Sequence, residues 1–197
     1  MLFDNEERAE NLAKLVCKTL QRLTLSLTPN IIFHYSARFA RDDRTAILEA
    51  ARSVRPQGTY TFVWINSHHN VCFFDSRAES DGSMRRGSYV QTSPHQVFLS
   101  TTGYNPFRRA MGTSKPLQIN ARVYRPEGAP NAEPDMKSLA VQVLSLTKLN
   151  WASTDAFCGE PITLKYAGDI AYLTAAFLRE SEAFKLHPAL EQTPWFL

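Results

Sequence analysis

Disulfide frameworks, membrane spans and secretory signals are all missing from this sequence. Its 197 residues include only three cysteines, Cys17, Cys72 and Cys158, which are widely spaced and odd in number. That usage argues against structural disulfides. No apolar run approaches the roughly 20 residues that span a bilayer, and the acidic first residues lack the basic and apolar regions of a secretory signal. We therefore expect a cytoplasmic protein with no membrane partner.

The usual signatures of nucleotide binding and nucleophilic catalysis are missing as well. The chain has neither a Gly-rich phosphate loop nor a Gly-x-Ser-x-Gly turn. His68 and His69 lie near Cys72, yet no Cys-x-x-Cys or His-x-His completes a tetrahedral zinc set. The net charge is only +3, so any nucleic-acid partner has to meet a local basic patch rather than a field around the whole protein.

What the sequence does contain is an alternation of helix and strand patterns. Apolar residues recur every three or four positions over 5–23, and a second helix, capped by Asp42 or Asp43, follows a short apolar strand at 31–35. The other predicted strands lie at 60–65, 71–74, 88–92, 96–101 and 117–124, and the other predicted helices at 136–149 and 167–184. The order of the first elements favours right-handed crossovers and a partly parallel sheet. We therefore expect one α/β domain over residues 1–197.

Basic residues in the second half of the chain lie among hydroxyl, aromatic and small residues. The run from 101 to 116 contains Arg108, Arg109 and Lys115, and Arg122 follows it. Small residues let a backbone approach a phosphate closely, while Lys, Arg, Ser and Thr side chains donate hydrogen bonds to it. The pattern predicts a phosphate-binding surface, and a solvated charged loop is the alternative that the residues leave open.

The C-terminal end is aromatic and apolar, whereas most chain ends are poorly ordered. It reads Pro-Trp-Phe-Leu at 194–197, so we expect an inserted tail that holds the α-carboxylate of Leu197 at a fixed place. Lys165 and the hydroxyls of Ser153 and Thr154 are nearby in sequence. This combination predicts a phosphate or metal site, and a tail packed on its own core is the alternative.

Several short motifs occur in the order of one known domain family. They are Ile-Ile-Phe-His-Tyr-Ser at 31–36, Tyr-Thr-Phe-Val at 60–63, Gly-Ser-Tyr-Val at 87–90, Gly-Thr-Ser-Lys-Pro at 112–116, Asn-Trp at 150–151, Pro-Ile-Thr-Leu-Lys-Tyr-Ala at 161–167 and Trp-Phe-Leu at 195–197. The ordered set resembles the C-terminal part of the PIWI domain of prokaryotic Argonautes. The resemblance implies an RNase H-like mixed sheet flanked by helices, without the first strands of that domain and without the MID domain.

The resemblance also implies partners. They are a guide RNA or DNA and its complementary target, as in guide-dependent silencing and prokaryotic defence, together with the missing upstream PIWI and MID parts. Lys115 matches a basic position along the guide backbone. Leu197 matches the terminal carboxylate that helps to hold the guide 5′-phosphate through a divalent ion, here expected to be Mg²⁺. An effector protein or a second copy of the chain is a further possible partner.

The same resemblance implies that the chain is not an enzyme. Active PIWI domains hold two divalent metals with four acidic or His residues. The first two positions precede Met1, and the other two correspond to Ser36 and Gly168. Asp169 comes one place later, which on a helix rotates its side chain by roughly 100°. Two alternatives stay open: an RNase H-like nuclease that combines Asp169 with carboxylates upstream of Met1, and a protein-interaction module that docks an effector or a second copy.

Overall fold

The computed structural model describes residues 5–24, 27–76, 82, 84–103, 115–130, 132–150, 158–180 and 187–190. In these residues the helices are α1 (Asn5–Arg22), α2 (Arg41–Val54), α3 (Met136–Leu146) and α4 (Ile162–Glu180), with a short 3-10 turn at Pro188–Leu190. The strands are β1 (Asn30–Tyr35), β2 (Thr59–Asn66), β3 (Tyr89–Ser93), β4 (Gln96–Leu99) and β5 (Leu117–Tyr124). None of the described helices combines the length and the apolar character needed to cross a membrane.

The five strands form one mixed sheet in the order β1-β2-β5-β4-β3. β1 and β2 are parallel, with Asn30 opposite Thr59, and α2 lies between them in the chain. A parallel pair needs such a crossover segment. β2 and β5 are antiparallel, with Tyr60 opposite Tyr124. The predicted α/β class is therefore confirmed: a mixed sheet, parallel in part and flanked by helices, as in an RNase H-like fold.

The chain divides into two compact units, of which the first contains Met1–His68, Gln91–Val97 and Gln118–Met136. Its core joins α1, α2 and β2, because Leu20, Ile47 and Phe62 belong to one buried cluster. Phe39 meets the ring of Phe62 edge to face at a centroid distance of 5.1 Å. Aromatic pairs prefer this geometry, so the loop between β1 and α2 is fixed on the strand that follows it.

The second unit contains His69–Val90, Phe98–Leu117 and Lys137–Leu197. Its buried apolar residues include Phe98, Leu117, Leu139 and Val143. Leu139 and Val143 are one turn apart on α3, so they lie on the same face of the helix. The apolar period of the sequence therefore identifies the face of α3 that is buried.

The capping of α2 differs from the prediction. The helix begins at Arg41 with Ala40 at the N-cap, and no side chain bonds to the cap. Asp43 lies in the first turn, almost wholly buried, and accepts hydrogen bonds from Nε and Nη2 of Arg8 at 3.1 and 2.9 Å. The predicted cap is wrong because α1 supplies a guanidinium partner for this carboxylate, which no local pattern indicates.

Two helix boundaries and one predicted strand in the second unit also differ from the prediction. α4 begins at Ile162 rather than at 167, directly after Pro161, a residue favoured at helix starts. α3 ends at Leu146 rather than at 149, because the chain turns at Thr147. Residues 71–74 are not a strand. The Val71 N–H donates to the side chain of His69 at 3.1 Å instead of to a neighbouring strand.

Candidate nucleic-acid interface

Lys115 is an exposed cation at the beginning of β5. It directly precedes Pro116 and Leu117, which are both buried. A residue before proline is restricted to extended backbone conformations, and a buried proline ring has little room to shift. Lys115 therefore projects into solvent from a fixed point of the second unit. The ion pairs of the described residues do not include it.

The backbone next to Lys115 is held by the side chain of His69. Nε2 of the imidazole lies 2.7 Å from the carbonyl oxygen of Pro116, and Nδ1 accepts a hydrogen bond from the Val71 N–H at 3.1 Å. Since Nδ1 is an acceptor, the ring is neutral and its proton is on Nε2, which donates to Pro116. The ring also packs edge to face on the buried Phe98 at 5.4 Å. Both nitrogens are thus occupied, so His69 is not available as a metal ligand.

Arg122 is the exposed basic residue of β5. It pairs with Phe62 of β2 in the antiparallel register, and its neighbours Ala121 and Val123 are more buried than it is. Just beyond the strand, Arg52 of α2 donates to the carbonyl oxygen of Arg125 at 3.0 Å. The first unit therefore carries three arginines at this end of β5, namely Arg52, Arg122 and Arg125. No ion pair among its described residues involves any of them.

Lys165 is not a free cation, because its ammonium is paired with Asp169. Nζ lies 2.6 Å from Oδ2 of Asp169, one turn along α4, and both side chains are about one-third exposed (32% and 37%). The pKa of Lys165 is raised, first by this hydrogen bond and further by the charge of the carboxylate, although burial works in the opposite direction. The ion pair partly neutralises a residue that was predicted to face a phosphate.

Hydrogen bonds that are partly buried fix the segment that leads into α4. The Cys158 N–H donates to the Thr147 carbonyl at 2.8 Å, and the Thr101 hydroxyl donates to the Gly159 carbonyl at 2.5 Å. Arg86 completes the group through Nη2, which donates to the Thr147 hydroxyl at 2.6 Å and to the Leu144 carbonyl at 3.0 Å. Burial lowers the pKa of Arg86 and raises the pKa of the Cys158 thiol. These bonds give α4, and with it Lys165, a fixed starting point.

Ser36 and Gly168 carry no carboxylate; the sequence resemblance matches these two positions to catalytic residues. Ser36 is exposed and directly follows β1. Gly168 lies inside α4 on an exposed part of the helix, and a Cβ built on it meets no atom within 4 Å. Glycine is therefore not required there by packing, and a Cβ would fit.

Metal-ligating side chains are scattered in the part of the chain that the structure describes. No three His, Cys, Asp or Glu side chains in it lie close enough together to hold a metal ion. Asp169 belongs to no such group among the described residues, and its described partner is Lys165.

Comparison with solved structures identifies the fold. An Argonaute of A. aeolicus with externally bound siRNA superposes with a TM-score of 0.65 at 21% identity, over 88% of this chain and 22% of that one. Another structure of the Aquifex aeolicus protein gives 0.65 at 22% identity. Clostridium butyricum Argonaute, bound to a guide DNA and a 19-mer target DNA, gives 0.63 at 19% identity over 87% of this chain and 21% of that one. This chain has a partial PIWI-like fold.

The PIWI-like chain spans only about a fifth of the length of the Argonautes that it matches. At 19–22% identity the likeness establishes the fold and not the activity. No protein-family model matches the chain, and no curated protein sequence does either.

Several predicted site residues lie outside the described residues of the PIWI-like chain. They are Arg108, Arg109, Ser153, Thr154 and Leu197. Their phosphate-binding and metal-binding roles stay predictions. Of the remaining three, Lys115 and Lys165 belong to the second unit and Arg122 belongs to the first.

Sequence reasoning missed the role of His69 and the pairing of Asp169. The separation of 47 residues between His69 and Pro116 leaves no local signal in the sequence. Lys165 and Asp169, in contrast, are four residues apart, a spacing that brings side chains together on any helix. Placing the start of α4 at Ile162 would have revealed that pair.

Proposed function

We propose that this chain is the nucleic-acid-binding C-terminal part of an Argonaute-like PIWI domain that holds a guide strand and the guide/target duplex without cleaving it. The proposal is carried by the PIWI-like fold, together with the serine and the glycine at the two positions that the sequence resemblance matches to catalytic residues. Two of the solved neighbours carry siRNA or a guide DNA with its target DNA. Their bound strands support a nucleic-acid partner for this chain as well.

The proposed contacts are with the sugar–phosphate backbone. Lys115 and Arg122 are exposed and have no described counter-ion, so either can approach a phosphate without first breaking an ion pair. Lys165, Arg108, Arg109, Ser153 and Thr154 complete the proposed set. Contacts of this kind position a duplex but do not read its sequence. Sequence selection would then come from base pairing between guide and target, with the protein recognising the shape of the duplex.

The absence of nuclease activity is proposed from the two matched positions. Two-metal cleavage needs several ligands that hold the ions about 4 Å apart. Ser36 provides a hydroxyl and Gly168 provides no side chain. Asp169 is turned by roughly 100° on α4 and is engaged by Lys165 at 2.6 Å. This pairing also counts against the alternative nuclease, in which Asp169 would be a metal ligand.

The experiment is a paired binding and cleavage assay. The chain is combined with the polypeptide that completes its PIWI domain, loaded with a 5′-phosphorylated guide and given a labelled matched target in Mn²⁺. We expect guide-dependent retention of the target and no product, with a cleaving Argonaute as the positive control. Product that disappears in Asp169→Ala would establish the nuclease alternative. Failure to retain either strand would refute nucleic-acid binding. A complex with an effector protein or a second copy that survives high salt without nucleic acid would instead support the interaction module.

The completing polypeptide is proposed to pair with β1. This strand is at the edge of the described sheet, and its sequence, Asn-Ile-Ile-Phe-His-Tyr, has no proline, lysine or other charge. Natural edge strands usually carry such residues because an open, apolar edge pairs with other chains. The strands missing from the PIWI domain would provide the partner. An effector protein or a second copy is the competing occupant.

A divalent cation at the guide 5′ end is the remaining part of the proposal. The α-carboxylate of Leu197 and a 5′-phosphate offer only oxygen atoms, the ligands that Mg²⁺ prefers. When bound, the ion would neutralise charge between the two groups. We expect removal of Leu197 to weaken the binding of a 5′-phosphorylated guide and to leave a 5′-hydroxyl guide unaffected. Equal loss for both guides would show that the tail acts only in folding.

A further inference from the structure

The side chain of His69 binds the backbone immediately beside Lys115. Its Nε2–H donates to the Pro116 carbonyl at 2.7 Å, while Nδ1 is held by the Val71 N–H at 3.1 Å. The imidazole therefore has a fixed tautomer and a fixed orientation, as a positioning group requires. The edge-to-face contact with Phe98 prevents the ring from turning away.

Phe98 is itself well supported. It is buried, and the ring of Phe73 packs edge to face on it at a centroid distance of 5.7 Å. His69 thus connects the Pro116 peptide to buried residues of the second unit, so the position of that peptide is fixed. Lys115, one residue before that peptide, starts from a backbone that is fixed on one side by His69 and by the buried proline.

We infer that His69 is a positioning residue for nucleic-acid binding, which holds the Pro116 peptide so that Lys115 meets a backbone phosphate. The inference rests on the proposed function, because it requires that Lys115 contacts a phosphate. In this role His69 acts through Lys115 and does not itself contact the phosphate. Its contribution is to keep the long Lys115 side chain anchored in one place, which reduces the entropy lost when the ammonium binds.

Salt dependence separates this role from a general effect on folding. Log affinity falls linearly with log salt concentration, and on duplex DNA each neutralised phosphate adds about 0.9 to the steepness of that fall. Slope values here refer to this steepness, without the sign. Loss of the Lys115 contact therefore lowers the slope by about that amount. A substitution at His69 removes no charge from the protein. A lower slope in a His69 variant thus reports that a charged contact elsewhere has been lost.

The experiment measures the affinity of the full chain for a fluorescent guide/target duplex over a series of KCl concentrations, with RNA and with DNA strands. Lys115→Gln should lower the slope by about 0.9. His69→Phe, which keeps a ring on Phe98 but has no donor, should lower it by the same amount. The double variant should fall no further, since the two residues act on one contact. His69→Gln, whose amide still donates toward Pro116, should keep most of the original slope.

His68→Gln is the matched control, because His68 is the exposed neighbour of His69 and should leave the slope unchanged. If His69→Phe does not fold, as judged by its circular dichroism melt, His69→Asn replaces it: the shorter amide can serve Val71 but not Pro116. A wild-type slope in the His69 variants, with a lower one in Lys115→Gln, overturns the inference alone. A wild-type slope in Lys115→Gln overturns the proposed phosphate contact and the inference with it.

Discussion

Gly168 occupies an unusual place for a glycine, the exposed interior of a long helix. Glycine inside a helix costs about 0.5–1 kcal/mol relative to alanine, and folds usually accept that cost where a side chain would collide. Here a Cβ meets nothing within 4 Å. At Gly58, in contrast, a Cβ would lie 2.6 Å from the Tyr60 hydroxyl oxygen, and at Gly103 it would lie 2.8 Å from the backbone nitrogen of Arg86. Packing thus explains two of these three glycines but leaves Gly168 unexplained.

Substitution of Gly168 tests whether the α4 surface around it is open. Gly168→Ala should stabilise the protein by about 0.5–1 kcal/mol, a rise in melting temperature of roughly 1–4 °C for a chain of this size. Gly58→Ala, the same chemical change at a crowded position, should lower the melting temperature. The measurement is a circular dichroism melt of each variant. A loss of stability in Gly168→Ala would mean that another part of the protein packs on this position.

A site residue could be predicted only where neighbouring residues in the sequence indicate its role. Lys115 could be chosen because it lies among small and hydroxyl residues in the Gly-Thr-Ser-Lys-Pro motif at 112–116. The partners of His69 and Asp43 could not be chosen. Pro116 is 47 residues from His69, and Arg8 is 35 residues from Asp43. Their pairing depends on which strands and helices become neighbours, and side-chain chemistry alone does not specify that.

The α4 helix contains a cation, Lys165, whose charge is partly neutralised by a carboxylate of the same helix. Lys165 and Asp169 form an i,i+4 pair at 2.6 Å. Such pairs on exposed helices contribute little to stability, so the geometry matters more for binding than for folding. Lys14 and Glu10 of α1 form a pair of the same spacing and length, with both side chains about two-thirds exposed. The chain therefore contains a matched pair in a different helix.

Removal of the Asp169 charge should strengthen nucleic-acid binding. Asp169→Asn frees the Lys165 ammonium to meet a phosphate, so the affinity for a guide/target duplex should increase, with a salt slope greater by up to about 0.9. Glu10→Gln changes the net charge by the same amount and should have a smaller effect. The readout is the duplex affinity at several KCl concentrations. Equal effects of the two substitutions would show that Lys165 responds only to overall charge.

Elements with a strong periodic pattern were predicted well, and those fixed by tertiary contacts were not. α1, β2 and β5 agree with the predicted ranges to within one residue at each end. Residues 71–74 are apolar enough for a strand, yet the Val71 N–H bonds to His69 and the Phe73 ring packs on Phe98. Apolar composition did not predict burial here, because Val71 and Phe74 are exposed. It does not show whether the backbone pairs with another strand.

Across the whole molecule, the two edges of the sheet differ in character. β3 is exposed at all five residues, as expected of an edge that faces solvent. β1, at the opposite edge, is half-buried over 31–35 and apolar, and burial lowers the pKa of its His34. A strand of this composition is normally paired on both sides. The asymmetry favours a further strand at β1 and none at β3.

Amide hydrogen exchange measures that asymmetry directly. We compare this chain alone with the same chain bound to the polypeptide that is proposed to complete its PIWI-like fold. Added ladder hydrogen bonds slow exchange only where they form, so the outward N–H groups of β1 should become protected while those of β3 keep their rates. Unchanged exchange in β1 would contradict strand addition at this edge. Equal protection of β1 and β3 would indicate general stabilisation, because only a paired strand can slow one edge of a sheet and leave the other as it was.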